Sequence, residues 1–244
     1  MLSIIIPAKN EGKYLGLLLE DISKQTTKQK IEVIIALAPS TDNTLQVAKK
    51  YKAQIVPGGL PGYGRNRGAK RAKGEILLFL DADVRIPADF ITRGLTEFKR
   101  RHLDMASTNI VSDTDEPFDE FVYKIDNLTQ DLSKYFGLAY IPGACIFIRR
   151  KYFEQLKGFD ESLTFAEDAD LGQRVLKAGG RLGKLRSTYF IASTRRFHYD
   201  GKQKTLKRII RAGLDALNKK QIKENGAYFN DETWRGGAAG VNDQ

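Results

Sequence analysis

Apolar positions fall along this chain in two alternating periods. Short continuous runs at Ser3-Ile4-Ile5-Ile6-Pro7, at residues 31–37 and at residues 75–80 read as strands buried on both faces. Between them the period lengthens. Tyr14, Leu15, Leu18, Leu19 and Ile22 share one face of a helix predicted over residues 11–23. Ser40-Thr41-Asp42 offers an N-cap for a helix ending near Tyr51, and residues 53–56 read as a third, shorter strand. Residues 58–64 read as a flexible glycine loop leading into a basic helix at 66–73. Strands and helices alternating in this way imply βαβ units, hence an α/β domain with one Rossmann-like, mostly parallel sheet flanked by helices.

The second half is less regular. Helices are expected over 89–101, 119–134, 151–156 and 167–178, the last with Leu171, Val175 and Leu176 inward. Residues 144–148 read as a strand, with Cys145 a small core residue rather than a nucleophile. A strongly basic helix is expected over 203–223. The chain thus divides into a domain at 1–200 and a helical extension with a tail at 201–244.

With 244 residues, 41% of them hydrophobic, the chain suits one sizeable α/β domain and is too apolar for a disordered chain. A single cysteine excludes an internal disulfide and any cysteine-rich zinc site. No window approaches the roughly 20 apolar residues that span a bilayer, and no signal peptide opens the sequence, so the expected location is cytoplasmic. The sequon Asn127-Leu128-Thr129 is read as chance. Forty Lys and Arg against 30 Asp and Glu leave a net charge of +10, which favours an anionic partner.

The candidate chemistry lies where charge meets these elements. Asp81-Ala82-Asp83 ends an apolar strand, and in open α/β sheets ligands bind at such ends. Two carboxylates flanking a small residue can face one hard cation, Mn²⁺ or Mg²⁺, which would in turn hold a diphosphate. Arg65, within Gly62-Tyr63-Gly64-Arg65-Asn66-Arg67-Gly68, could clamp a phosphate or stack on a base. Lys70, Arg71 and Lys73 read as a solvated helix face. Glu167 and Asp168 stand at a helix start, where carboxylates can cap the helix or serve as a base. Arg195 and Arg196 could reach a diphosphate, and His198 could add a third metal ligand beside Asp81 and Asp83.

Taken in order, these motifs resemble inverting glycosyltransferases of family 2, with the GT-A fold. The segment from Ile4 to Glu11, Ser40-Thr41-Asp42-Asn43-Thr44, Arg65-Asn66-x-Gly68, Phe79-Leu80-Asp81-Ala82-Asp83, Gly143-Ala144, Gly158-Phe159-Asp160-Glu161 and Glu167-Asp168-x-Asp170-Leu171 carry the likeness over roughly residues 2–200. The resemblance implies a nucleotide-sugar site formed by Pro7, Ala8, Asn10, Glu11, Arg65, Asp81, Ala82 and Asp83. It implies a metal on Asp83, Asp168 as catalytic base, and Gly143 and Glu167 on the acceptor side. The acceptor would be a saccharide or lipid-linked hydroxyl, and no nucleic acid is expected.

Two departures narrow this. Leu37-Ala38-Pro39 stands where the family usually places base-contacting aspartates, which leaves the nucleobase open. The Gln-x-x-Arg-Trp motif of processive members is absent, which favours a single addition. A relative without activity that binds nucleotide or RNA, and a sugar nucleotidyltransferase, are the competing readings. For residues 203–223 the choice lies between a helix packed on the domain with a solvated basic back and a peripheral attachment to an anionic membrane surface.

Overall fold

The alternation inside the first apolar run decides how the sheet is buried. Ile4 and Ile6 pack into one apolar cluster and Ile5 into another, so the strand needs cover on both faces. The structure, a computed structural model, describes residues 1–195 apart from 134, 136, 138, 164 and 165, together with Gly201. The expected helix at 203–223, the tail, Arg196 and His198 lie outside the described residues.

The described strands are β1 (Leu2–Ala8), β2 (Ile31–Leu37), β3 (Gln54–Pro57), β4 (Ile76–Leu80), β5 (Met105–Ser112), β6 (Cys145–Arg149) and β7 (Leu182–Ala192). They form one sheet in the order β3-β2-β1-β4-β6-β5-β7. β6 runs antiparallel to β4 and β5, and the other pairs are parallel. The mostly parallel sheet of the sequence reading is therefore present. Cys145 is fully buried on β6, and burial pushes its thiol well up, in keeping with a core role.

Seven helices are described: α1 (Gly12–Ser23), α2 (Thr44–Lys50), α3 (Pro61–Arg71), α4 (Phe90–Arg100), α5 (Pro117–Ser133), α6 (Arg150–Gln155) and α7 (Glu167–Lys177). Leu15 and Leu18 of α1 and Phe90 and Phe98 of α4 fill one face of the sheet. Ala69 of α3, Phe153 of α6, and Leu171 and Val175 of α7 fill the other. The glycine stretch at 58–64 is not a loop throughout, because α3 begins at Pro61. A Cβ on Gly68 would come within 2.3 Å of Ile5 Cγ2. These glycines serve close helix-on-sheet packing, which sets α3 down on β1.

The N-cap of α2 is Asn43 rather than a residue of Ser40-Thr41-Asp42, and Asp42 acts from one position earlier. Asp42 Oδ1 accepts from the Thr44 amide at 3.0 Å, while its Oδ2 accepts from the Gly12 amide at 2.9 Å. A single carboxylate thus serves the first turns of α1 and α2 together and locks the two loops at the ends of β1 and β2.

β5 and β7 were not legible in the sequence. β5 buries Ser107 and Thr108 completely, so no apolar alternation marks it. β7 is bulged: its register against β5 jumps from Thr108↔Leu185 to Asn109↔Tyr189. The amides freed at the bulge are met by Glu97 of α4, whose Oε2 accepts from Arg186 N and Ser187 N at 2.8 Å each. Asn127 of α5 treats β5 similarly. Its amide donates to Ile110 O at 2.7 Å and its Oδ1 accepts from Ile110 N at 3.0 Å, so the sequon asparagine has a structural task.

Glu97 is 6% exposed. Burial pushes its carboxyl up, but the hydrogen bonds from Ser187 and the Arg101 contact outweigh this and hold it below the usual range. A depressed carboxylate adds stability above its unfolded pKa, and that stability is lost as pH falls through the folded value. Glu97→Ala should therefore lower the unfolding free energy by about 3 kcal/mol at pH 7. The gap from wild type should shrink below about pH 4. Urea unfolding at pH 7 and pH 3 checks both statements.

Candidate active site

Two arginines gather the carboxylates beyond the C-terminal ends of β1 and β4, and Asp81-Ala82-Asp83 is shared between them. Arg65 of α3 is 3% exposed. Its Nη1 donates to Glu167 Oε1 at 2.6 Å, and its Nη2 donates to Asp81 Oδ1 at 2.8 Å and to Gly143 O at 3.3 Å. The guanidinium also stacks over the Phe159 ring, 5.5 Å from its centroid. Sequence reading gave Arg65 to a phosphate or a base. In the structure its partners are neighbouring carboxylates, because the close seat of α3 on β1 sinks the side chain into the domain.

Asn66, the next residue, ties α3 to the turn carrying Phe159. Its Nδ2 donates to Phe159 O at 2.9 Å and Glu161 Oε1 at 2.8 Å, and its Oδ1 accepts from Phe159 N at 2.9 Å. Gly158 in that turn has φ +72, and a Cβ there would meet Asn66 Oδ1 at 2.4 Å. Lys70, Arg71 and Lys73 are exposed, as the sequence suggested.

Arg195 forms the second centre. Its Nη2 donates to Glu11 Oε1 and, at 3.0 Å, to Asp83 Oδ2, and its guanidinium lies 4.4 Å from the centroid of Tyr14. The helical period placed Tyr14 on the core face of α1. It is instead half-buried at the edge of the site, because α1 starts beside the carboxylates and its first turn overhangs the sheet. Burial raises the Glu11 carboxyl, against the pull of Arg195 and with the help of Asp83 and Asp81. Glu11 Oε2 is buried without a hydrogen-bond partner.

The turn between β1 and α1 is fixed by Asn10 in the left-handed region, φ +53. Asn10 Oδ1 accepts from Thr41 N at 2.8 Å, and Asn10 N donates to Ser40 Oγ at 3.1 Å. Pro7 pairs with Ala36 across the sheet, and Ala8 O accepts from Ala38 N at 2.9 Å. Ala38 and Ala82 are buried. The positions where aspartates would meet a nucleobase are therefore apolar in structure as well as in sequence.

Asp168 opens α7 behind Ala166, a residue in the left-handed region. Glu167 beside it reaches Arg65, so the capping reading does not describe Glu167. Asp168 Oδ1 accepts from Ala169 N at 2.8 Å. Its carboxyl is pushed up to about 7, by burial first and then by Glu167, with Arg65 opposing. Burial works against the charge of Arg65 too, yet Asp81, Glu167 and Asp168 more than restore it. Three carboxylates around one buried guanidinium leave surplus negative charge, which one proton relieves. Tyr140 joins this neighbourhood. Burial raises its hydroxyl, and Asp126 and Asp168 add to the shift; no sequence motif marked it.

Gly143 abuts the same carboxylate. A Cβ there would stand 2.7 Å from Asp168 Oδ2 and 3.6 Å from Arg65 Nη2. Gly143→Ala should displace the Asp168 carboxyl, and with Asp168 as the base that the family resemblance implies, turnover should fall by about 10-fold or more, since misplacing a reacting group by about an ångström can cost 10²-fold. Its Tm should move little, because a carboxylate end yields more easily than backbone. Turnover and a thermal melt on one preparation check this.

The site's donor set suits a hard divalent cation: Asp81 and Asp83 offer carboxylate oxygens, and Glu11 Oε2 is an orphaned acceptor in the same neighbourhood. Among the described residues no three histidine, cysteine or carboxylate side chains already stand together as a cage.

Comparison with known proteins follows the same lines. The family model for glycosyl transferase family 2 matches residues 3–157. The poly(ribitol-phosphate) beta-N-acetylglucosaminyltransferase TarS of Staphylococcus aureus is 33% identical over 112 residues, 42% of this chain and 20% of that protein. The glycosyltransferase GlyG of Streptococcus pneumoniae is 23% identical over 88% of this chain and 82% of its own. The chain thus spans about a fifth of the length of the first curated relatives it matches. Among solved structures, residues 1–349 of S. aureus TarS in complex with UDP-GlcNAc superpose with a TM-score of 0.65 at 21% identity, covering 93% of this chain and 71% of that one. The mannosyltransferase PcManGT of Pyrobaculum calidifontis, in complex with GDP-Man and Mn²⁺, gives 0.66 at 19% identity, with the same coverage. At these identities the likeness shows the fold.

Proposed function

Since the chain belongs to glycosyl transferase family 2, we propose that it moves a sugar from a nucleoside-diphosphate donor to an acceptor hydroxyl, one sugar per encounter, with inversion at the anomeric carbon. The observation that carries this is the placement of Asp168, its carboxyl raised to about 7, beside the Arg65 node that also holds Asp81. A base with a pKa near working pH is half ionised when needed and still basic enough to take a hydroxyl proton. Asp168 accepts the acceptor's proton. Arg65 holds Asp81 and Glu167 in place, and Gly143 leaves room for the base. Asp83 and Asp81, with His198 from outside the described residues, would hold a divalent ion, which when bound neutralises charge on the departing diphosphate.

The two structural neighbours carry donors with different bases, UDP-GlcNAc and GDP-Man, and the apolar Leu37-Ala38 turn favours neither. The acceptor is proposed to be a saccharide or lipid-linked hydroxyl. Among the described residues no helix is long and apolar enough to cross a membrane.

One observation favours a second reading of the cation. Arg195 already sets a positive charge on Asp83 and Glu11, so the chain could supply its own counter-charge to the diphosphate. Nucleoside diphosphate release, followed with UDP- and GDP-sugars in Mn²⁺ and in EDTA, separates the two. Release that needs Mn²⁺ and survives Arg195→Met supports the metal. Release that persists in EDTA and is lost in Arg195→Met supports the arginine. No release from any donor under either condition would sink the transferase reading.

A further inference from the structure

α5 carries a second apolar face besides the one it packs toward the sheet. Val122 and Tyr123 are buried toward β5, whereas Phe121, Leu128 and Leu132 are 54%, 56% and 46% exposed, and Tyr135, just past the helix end, is 74% exposed. With half-buried Ile125 these residues fall at 121, 125, 128, 132 and 135. That is an alternating four-three spacing, which lays one continuous stripe along a helix. A contiguous exposed stripe of large apolar side chains marks an interaction surface.

We propose that this stripe is the docking site for the chain's own residues 203–223, whose apolar face covers it. The first argument is charge. Of the seven carboxylates in residues 113–131, Glu120 pairs with Lys124, Asp131 pairs with Lys184 and Arg186, and Asp119 is buried, so the negative charge concentrates before the first turn of α5, whereas residues 203–223 carry seven Lys and Arg and one Asp, net +6. Asp113, Asp115 and Glu116 are exposed at the start of α5. Such complementarity favours this pairing and opposes both a second α5 and an anionic bilayer at the same face.

The second argument is pattern and reach. Leu206, Ile209, Ile210, Leu214 and Leu217 recur at helical spacing over 12 residues, a length comparable to the stripe. The chain leaves the described fold against α5 itself: Tyr123 Oη donates to Ser193 O at 3.1 Å, and Asp113 Oδ1 accepts from Thr194 N at 2.9 Å. Leu206 lies eleven residue steps beyond Arg195, enough to span roughly 36 Å when extended. α5, 17 residues long, covers only about 25 Å. A segment tethered this closely meets the stripe at high effective concentration. Its docking would also anchor the far end of the stretch whose near end, Arg195, bridges Glu11 and Asp83.

Hydrogen exchange on the full chain tests this with three variants. In wild type the amides of residues 206–217 should be protected at least about tenfold relative to Leu128→Asp, which breaks the stripe where it faces solvent and leaves the domain's core untouched. Ile210→Asp, on the other partner, should lose the same protection, and Leu45→Asp, an exposed apolar position on α2, should lose none. Equal exchange in wild type and Leu128→Asp would overturn the proposal. So would protection that rises with protein concentration, which assigns the stripe to a second copy. Protection that appears only with vesicles of anionic lipid would equally overturn it in favour of a membrane.

Discussion

Asp168→Asn is expected to lower the rate of sugar transfer by about 10²–10⁴-fold while nucleoside diphosphate binding stays nearly unchanged. The variant removes the proposed proton acceptor and leaves Asp81, Asp83 and Glu11 untouched. Transfer by the wild type should rise with pH through about 7, the value to which burial, then Glu167, push the Asp168 carboxyl. The residual rate of the variant should lack that rise. Stability should move the opposite way. A carboxyl whose pKa is raised in the fold stays protonated there between its unfolded value and about 7, so ionising it weakens the fold as pH climbs through that window. Asp168→Asn should therefore melt above wild type at pH 8 and lose the advantage at pH 4. A pH–rate profile and thermal melts at the two pH values are the measurements. Unchanged turnover in Asp168→Asn would remove the base from the mechanism.

Arg65→Met is expected to cost about 3–5 kcal/mol of unfolding free energy, because it strands Asp81 and Glu167 around a hole that held their shared counter-charge. It should also drive the Asp168 carboxyl further up, since Arg65, together with backbone amides, opposes its rise. Arg65→Lys keeps the charge and separates the two roles. An ammonium cannot reproduce the planar fork that donates to Glu167, Asp81 and Gly143 at once, nor its stacking on Phe159. The lysine variant should fold, turn over at least about tenfold more slowly, and retain a pH midpoint closer to wild type than the methionine variant does. Urea unfolding and pH–rate profiles of both variants check this. Wild-type stability and rate in Arg65→Lys would show that the fork is dispensable.

Some of this was legible along the chain. Strands buried on both faces are announced by continuous apolar runs, and β1, β2 and β4 were visible for that reason. The helices that face them show the 3.6-residue period, and α1, α4 and α7 lie close to where it put them. Asp81, Asp83 and Arg65 stood out by their places at a strand end and a glycine-flanked helix start, whereas Glu11 and Asp168 were singled out through the family resemblance, since a carboxylate at a helix start can equally be a cap. β5 and β7 escaped because their buried positions include Ser107, Thr108 and Thr188, made acceptable by partners such as Glu97 and Asn127 that lie far away in sequence.

The sequence by itself determined the alternating α/β order and the identity of the charged groups, since both rest on local periodicity and on side-chain chemistry. Only the tertiary structure decided what those charges do to one another. Arg65 and Glu167 are 102 residues apart and Arg195 and Glu11 are 184 apart. No local pattern encodes such distances. The fold makes Arg65 the buried brace of Asp81 and Glu167, moves Tyr14 from the core to a ring beneath Arg195, and lifts the Asp168 carboxyl to about 7. Each change has the same cause: burial fixes the environment of a charge, and burial is a property of the whole chain.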